Sequence, residues 1–183
     1  EKWGLRADGT NPCRHVEKFK EEKKERYLTP EELSRLGVAL AETEAAKEEL
    51  PQAIAAIRLL ILTGARLSEV LELRWNHVDL ERRELNLPDS KTGKKTIQLG
   101  DPAAKLLAGL PRYAGSPYVV PGQKAGHHLV GLPHIWQRIR NKTGLDDVRI
   151  HDLRHSFASS AALAGMSLPF QNARVALERV NRF

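Results

Sequence analysis

Arginine, lysine and histidine side chains of the kind that hold and cleave a phosphodiester occur in three short segments of this chain. Arg66 lies in TGARLSE, Lys91 lies in SKTGK, and His151 and Arg154 lie in HDLRH. Arginine donates two parallel hydrogen bonds to a phosphate and keeps its charge at any working pH. Transesterification of DNA also needs a proton for the departing 5′-hydroxyl, which lysine or histidine can supply. These residue types therefore predict a site that binds one phosphodiester and assists its cleavage.

The spacing of these residues predicts that they reach a common phosphate. Arg66 follows a glycine turn at a predicted helix start, and Arg154 lies in the first turn of another helix, so both point from rigid elements toward one cleft. His151 precedes Arg154 by three positions and shares its helix face. Lys91 lies on a glycine-containing turn and has the reach to protonate a leaving oxygen. Glu69, one turn after Arg66, is predicted to orient a guanidinium.

Each segment on its own also fits an ordinary surface role. Arg66 is then a surface side chain after a turn, residues 90–95 form a solvated hairpin turn, and Arg154 makes a surface ion pair while Asp152 caps a helix. Short motifs of this kind often occur without a function. The joint occurrence of the three segments, with two helices before them and a small sheet between, favours the phosphate site.

Local sequence signals predict the elements that position these residues. Thr29 and Glu32 form a capping box at the start of one helix, and a second, apolar helix ends at Gly64. Alternating apolar residues then predict an antiparallel meander, with Lys91 on the turn between its second and third strands. Asp101 is predicted to cap a later helix. The predicted helices lie near residues 30–40, 51–62, 67–73, 101–110, 135–139 and 151–165, the strands near 78–80, 85–87 and 97–99, and residues 118–120 are predicted to be extended.

These elements predict an α+β fold that is mostly α-helical, with a small three-stranded antiparallel sheet. Residues 1–27 have few apolar side chains and a dense run of mixed charge, so they are predicted to be a linker. Residues 28–183 are long enough to bury one sizeable core and are predicted to form a single domain.

The three segments and their order resemble the catalytic domain of the tyrosine recombinase (phage integrase) family over roughly residues 28–168. The resemblance implies the helical bundle of that family, double-stranded DNA and other recombinase protomers as partners, and no cofactor. It also implies DNA strand cleavage and rejoining through a 3′-phosphotyrosyl intermediate. In such a site Arg66 and Arg154 clamp the scissile phosphate. Lys91 protonates the 5′-oxygen, and His151 assists proton transfer.

Both ends of the chain depart from that family's pattern. Residues 11–14 resemble the linker that follows an N-terminal core-binding domain, which we expect to be missing here. No tyrosine follows Tyr118, and residues 169–183 match neither the third histidine nor the tyrosine nucleophile of the family. We therefore expect a truncated catalytic domain that is inactive alone, with an altered C-terminal end.

Other functions stay open on the sequence alone. A non-catalytic DNA-binding or regulatory remnant of a mobile element is the main alternative. A relative of type IB topoisomerases shares the same chemistry, and a basic globular domain without a DNA role is the simplest alternative of all.

The charge balance suits a polyanionic partner. The 183 residues include 29 Lys and Arg against 23 Asp and Glu, which gives a formal net charge of +6. Net charge alone is weak evidence for nucleic acid, so the positions of the cations matter more. The predicted contacts to the DNA backbone are Lys94, Lys95, Arg138, Arg140 and Lys142.

Cysteine, histidine and hydropathy patterns bear on compartment and metals. Cys13 is the only cysteine, so no intrachain disulfide can form. No apolar stretch is long enough for a membrane span, and the N-terminus lacks a signal-peptide pattern. We expect a cytoplasmic protein without a membrane partner. His127, His128 and His134 lack clustered cysteine or carboxylate partners, so no metal site is predicted.

Overall fold

The computed structural model of the chain describes residues 17, 19, 26–88 and 93–163, with residues 159–163 described by their backbone. Helix α2 (Pro51–Thr63) lies at the centre of this fold. It carries one charged residue, Arg58, and most of its other side chains are buried. Because it is apolar on nearly all sides, it needs neighbours all around it. These neighbours are α1 (Pro30–Ala45), α3 (Leu67–Leu71), α4 (Asp101–Gly109), α5 (Leu132–Lys142) and α6 (Asp152–Leu163).

Helix α1 begins with the predicted capping box, which is confirmed. Thr29 Oγ1 accepts a hydrogen bond from the Glu32 backbone N–H at 3.2 Å, and the Glu32 carboxylate accepts one from the Thr29 N–H at 2.9 Å. The two exchanges satisfy amide groups that have no partner inside a helix. Leu36 and Leu40 are fully buried and face the core, as their spacing predicts.

The predicted antiparallel meander is also confirmed. Its strands are β1 (Val78–Asp79), β2 (Glu84–Leu87) and β3 (Lys95–Gln98), in that order across the sheet. Leu85 of β2 lies opposite both Val78 and Ile97, and Leu85 and Ile97 are buried. The alternation of side chains along a strand therefore places one face of the sheet on the core. Lys91 lies outside the described residues, between β2 and β3 in the sequence.

One local prediction is wrong and another holds in part. Asp101 does not cap α4, because the N-cap residue is Gly100 and the Asp101 carboxylate pairs with Arg83 instead. Residues 118–120, predicted to be extended, are not a named strand, but Tyr118 makes an isolated antiparallel bridge to Arg74, a residue 44 positions earlier in the chain.

The predicted α+β class, a helical bundle with a small three-stranded antiparallel sheet, is confirmed. The core collects apolar side chains from all six helices and from the sheet. Among the residues described, no helix combines the length and the apolar character needed to cross a membrane.

Candidate active site

Glu69 anchors the first of the predicted site residues. Arg66 is the N-cap residue of α3. The backbone N–H and the Nη1 of Arg66 each donate a hydrogen bond of 2.8 Å to the Glu69 carboxylate. Lys95 Nζ of β3 donates a third hydrogen bond to Glu69 at 2.9 Å. The Glu69 side chain is only 5% exposed. Burial by itself would raise its pKa, but the hydrogen bonds from Arg66 and Lys95 outweigh burial and hold the pKa below its ordinary value.

Gly64 makes a tight joint between α2 and α6. It ends α2 in the left-handed conformation, with φ of +60°, as the sequence predicts. A Cβ atom built on Gly64 would lie 2.3 Å from Cδ1 of Phe157, a buried residue of α6. Any larger side chain would therefore push α6 away from the end of α2.

The same joint positions Arg154, because its Nη1 donates a hydrogen bond to the Gly64 carbonyl. Arg154 is half-buried, and burial lowers the pKa of its guanidinium. Glu69 opposes this effect, whereas Arg66 adds to it by charge repulsion. Arg66, Glu69 and Arg154 thus share one electrostatic environment. We call Arg66, Glu69, Lys95 and Arg154 the arginine cluster.

His151 lies next to this cluster, one residue before α6 begins. Its ring packs edge to face on the ring of His155, with 4.8 Å between the centroids. Burial lowers the pKa of His151, and the nearby charges of His155 and Arg154 lower it further. The imidazole is therefore neutral near pH 7 and can accept or relay a proton.

The predicted lysines fall in different places. Lys91 lies outside the described residues. Lys94 is exposed just before β3. Lys95 is half-buried and pairs with Glu69, and its predicted contact with DNA stays a prediction.

The predicted DNA contacts on α5 all have protein partners. Arg138 pairs with Glu49 through two hydrogen bonds of 2.5 and 2.8 Å, and Lys142 pairs with Glu48. These two pairs, which we call the α5 seam, join α5 to the connection between α1 and α2. Arg140 donates to the Val148 carbonyl at 3.0 Å. None of the three cations is among the residues that line the cavity described next.

A cavity of about 650 Å³ opens beside Arg66. It brings together side chains that sequence reasoning did not associate with the site, because they come from segments far apart in the chain. No periodicity or motif signals the bridge between Arg74 and Tyr118 that closes one wall. The residues lining the cavity are Arg66, Ser68, Glu69, Glu72, Arg74, His77, Leu87, Pro88, Tyr118 and His128.

The histidines of the 127–134 region have contacts other than clustered metal ligands in the part of the chain that the structure describes. Within the described ranges, no group of three or more histidine, cysteine or carboxylate side chains is arranged to hold a metal ion. His128 has a structural contact instead, with Nδ1 lying 2.8 Å from the Leu129 carbonyl oxygen.

Solved structures of known proteins define the class of fold. A XerA recombinase has a TM-score of 0.64 at 21% identity, over 87% of this chain and 61% of that chain. The integrase of the transposon Tn1549, solved with transposon right end DNA, also has a TM-score of 0.64, at 15% identity, over 89% of this chain and 62% of that one. At these identities the likeness shows a shared fold, that of recombinase and integrase domains.

The chain belongs to the phage integrase family, whose model matches residues 26–177. The shufflon-specific DNA recombinase of Escherichia coli is 28% identical over 152 residues, which are 82% of this chain and 36% of that protein. The tyrosine recombinase XerA of Saccharolobus solfataricus is 32% identical over 117 residues, which are 61% of this chain and 37% of that protein. The chain thus spans little more than a third of the length of these two relatives.

Proposed function

We propose that this chain is the catalytic-domain portion of a site-specific DNA recombinase or integrase, and that it grips one phosphodiester of duplex DNA with Arg66 and Arg154. One observation carries the proposal: Arg154 of α6 is hydrogen-bonded to the carbonyl of Gly64, two residues before Arg66. Residues some ninety positions apart are thereby held with their charges together, although like charges repel. A bound phosphate would relieve that repulsion.

The chemistry we propose is a transesterification at phosphorus. A tyrosine hydroxyl gives its proton to neutral His151 as its oxygen bonds to phosphorus, the bond from phosphorus to the 5′-oxygen breaks, and the 5′-oxygen takes a proton from Lys91. Arg66 and Arg154 stabilise the negative charge on the non-bridging oxygens. His151, neutral near pH 7, assists proton transfer, and Glu69 keeps the Arg66 guanidinium in place. The reverse reaction rejoins the strand.

The polypeptide of these 183 residues holds Tyr27, Tyr113 and Tyr118 and no later tyrosine. We propose that on its own it binds DNA without forming the 3′-phosphotyrosyl bond. A second candidate function is that of a non-catalytic DNA-binding or regulatory element, which needs the arginine cluster but no nucleophile. In either case we propose a cytoplasmic setting with duplex DNA and other recombinase protomers as partners.

The clamp is tested by fluorescence anisotropy on a labelled DNA duplex across a salt series. The double variant Arg66→Ala/Arg154→Ala is expected to flatten the slope of log affinity against log salt by about 0.9, because the two arginines clamp one phosphate and each phosphate contributes about 0.9. The matched control is Arg58→Ala/Arg83→Ala, which removes two arginines that pair with Glu44 and Asp101 away from the cluster. Equal slopes for the wild type and the clamp variant would refute the clamp.

Covalent attachment is tested separately on a nicked duplex, with protein–DNA adducts resolved on a denaturing gel. The wild-type chain is expected to give no adduct. Because Tyr118 lines the same cavity as Arg66, the variant Tyr118→Phe belongs in the experiment. An adduct formed by the wild type and lost in Tyr118→Phe would make Tyr118 the nucleophile and contradict the proposed inactivity.

A further inference from the structure

The cavity beside Arg66 has a second arginine on its wall, Arg74. We propose that Arg74 binds the phosphate next to the one held by Arg66 and Arg154, so that the cavity receives the deoxynucleotide between them. The inference rests on the proposed function, since the clamped phosphodiester is its reference point. The cavity volume of about 650 Å³ falls within the range of small-molecule binding sites.

Arg74 is held in place in a way that leaves its charge available. Its guanidinium lies 5.2 Å from the centroid of the Tyr118 ring, and Nη2 is 3.5 Å from the Tyr118 hydroxyl oxygen. Stacking on an aromatic ring orients the guanidinium plane without using up its N–H donors. Within the described residues Arg74 has no carboxylate partner at ion-pair distance, in contrast to Arg58 and Arg83. An oriented and unneutralised guanidinium suits a phosphate.

Backbone contacts fix the position of Tyr118. The Val119 N–H donates to the Leu73 carbonyl at 2.8 Å, and the Trp75 N–H donates to the Pro117 carbonyl at 3.0 Å. These bonds lie on either side of the bridge between Arg74 and Tyr118. The backbones of Arg74 and Tyr118 are therefore paired by hydrogen bonds, which hold the two stacked side chains in position.

A short hairpin supports the outer side of the Tyr118 ring. The Leu129 N–H donates to the Val120 carbonyl at 3.0 Å, and His128 packs edge to face on Tyr118 with 5.6 Å between ring centroids. The hairpin closes because position 122 is glycine: a Cβ on Gly122 would lie 2.4 Å from the His128 carbonyl oxygen. His128 Nδ1 lies 2.8 Å from the Leu129 carbonyl oxygen, and this contact ties the ring to the hairpin.

The rest of the cavity fits a nucleotide whose phosphate is bound by Arg74. Burial and the charge of Arg74 lower the pKa of His77, so this histidine is neutral near pH 7 and Arg74 supplies the charge on this wall. Leu87 and Pro88 add apolar surface, against which a sugar can pack. The lining therefore offers the cations Arg66 and Arg74 beside the carboxylates of Glu69 and Glu72, and an apolar edge for the remainder of the nucleotide.

The test compares Arg74 with a second stacked arginine. Arg112 lies 4.6 Å above the ring of Trp75, is exposed like Arg74, and does not line the cavity. Duplex affinity is measured by anisotropy between about 50 and 200 mM salt for Arg74→Gln, Arg74→Lys and Arg112→Gln, with the Arg66→Ala/Arg154→Ala variant alongside. Circular dichroism melts confirm that each variant is folded. We expect Arg74→Gln to lower the salt slope by about 0.9, Arg74→Lys to keep it, and Arg112→Gln to leave it unchanged.

The outcomes separate this inference from the proposed function. A normal slope for Arg74→Gln, with a flattened slope for Arg66→Ala/Arg154→Ala, would overturn the second phosphate site and leave the clamp intact. Equal losses in Arg74→Gln and Arg112→Gln would also overturn it, because the effect would then be one of general charge. No effect of either the clamp or the Arg74 variant would reject the proposed function, and the inference with it.

Discussion

The arginine cluster and the α5 seam contain the same kinds of charged side chain but differ in net charge. In the cluster, Arg66, Lys95 and Arg154 share a single buried carboxylate, that of Glu69. In the seam, each cation has a carboxylate of its own. The cluster therefore keeps an excess of positive charge in a half-buried setting, whereas the seam is neutral.

We expect the pairing of cations with carboxylates, and not the number of cations, to decide which surface attracts a phosphate. A neutral pair at the surface contributes little to stability and offers little to a polyanion. Phosphate binding at the seam would leave a carboxylate such as Glu49, whose side chain is 12% exposed, without its partner and beside a like charge. At the cluster, by contrast, an incoming phosphate supplies negative charge that the protein lacks.

The largest expected effect comes from the joint on which the cluster is built. Gly64→Ala is expected to lower the free energy of unfolding by about 2 to 4 kcal/mol, from the left-handed backbone and the overlap with Phe157 together. Gly144→Ala is the control, because Gly144 also has positive φ, +66°, but open space around its Cβ position. It should cost only about 1 kcal/mol. Urea denaturation gives both values, and equal losses would mean that the joint is not tightly packed.

Local signals explain which parts of the fold were predictable. The capping box of Thr29 and Glu32 and the stop at Gly64 involve residues within one helical turn, and the meander follows from alternation along each strand. Such patterns depend only on residues that are close together in the sequence. The order of Arg66 and HDLRH likewise pointed to the family that the chain belongs to.

Long-range pairings explain what was not predictable. The ion pair between Lys95 and Glu69 joins residues 26 positions apart, and no local pattern predicts it. Arg74 and Tyr118 are 44 positions apart and form one wall of the cavity, and no sequence motif predicts this contact. Such contacts depend on how whole elements pack, and hydrophobic periodicity within a segment carries no information about them. The roles of Arg66, Arg154, His151 and Lys91 themselves stay predictions until they are tested.

Substitution of Glu69, the carboxylate of the arginine cluster, gives the second largest expected effect on the free energy of unfolding. Glu69→Gln is expected to cost about 1 to 3 kcal/mol in the free energy of unfolding, because donors from Arg66 and Lys95 lose a charged acceptor. Glu49→Gln, at the seam, should cost about 1 kcal/mol or less. Because the pKa of Glu69 is lowered in the fold, its contribution is present above about pH 4.3 and is lost as the pH falls further. Equal costs for the two variants, measured by urea denaturation at pH 7, would remove the distinction between cluster and seam.

Protonation of His151 changes the net charge beside the arginine cluster. Its lowered pKa keeps it neutral at pH 7, so protonation adds a cation beside Arg154 only below about pH 6.5. Duplex affinity is expected to rise by up to about tenfold as the pH falls below that value, and His151→Gln should lose most of this rise. The same lowered pKa means that the folded state becomes less stable over this interval, since the unfolded chain binds the proton more readily. Anisotropy titrations on a pH series, with His134→Gln as an exposed control, separate the effect from general protonation; an unchanged pH profile in His151→Gln would contradict it.

The smallest expected effect is at the α5 seam. This prediction tests most directly whether the seam and the arginine cluster differ in DNA binding. Arg138→Ala/Lys142→Ala removes two cations, the same number as the clamp variant, but both are already neutralised by Glu49 and Glu48. The salt slope of duplex binding should therefore stay at the wild-type value, and the free energy of unfolding should change by about 1 kcal/mol or less. Arg138 is 57% exposed and Lys142 is 48% exposed, so neither is barred from DNA by burial, and only their pairing argues against contact. If the slope instead falls by about 0.9 or more, as the loss of at least one phosphate contact requires, then DNA competes with Glu48 and Glu49 for these two cations. The prediction that α5 contacts the DNA backbone would then be correct, and local pairing would not decide where this fold meets a phosphate.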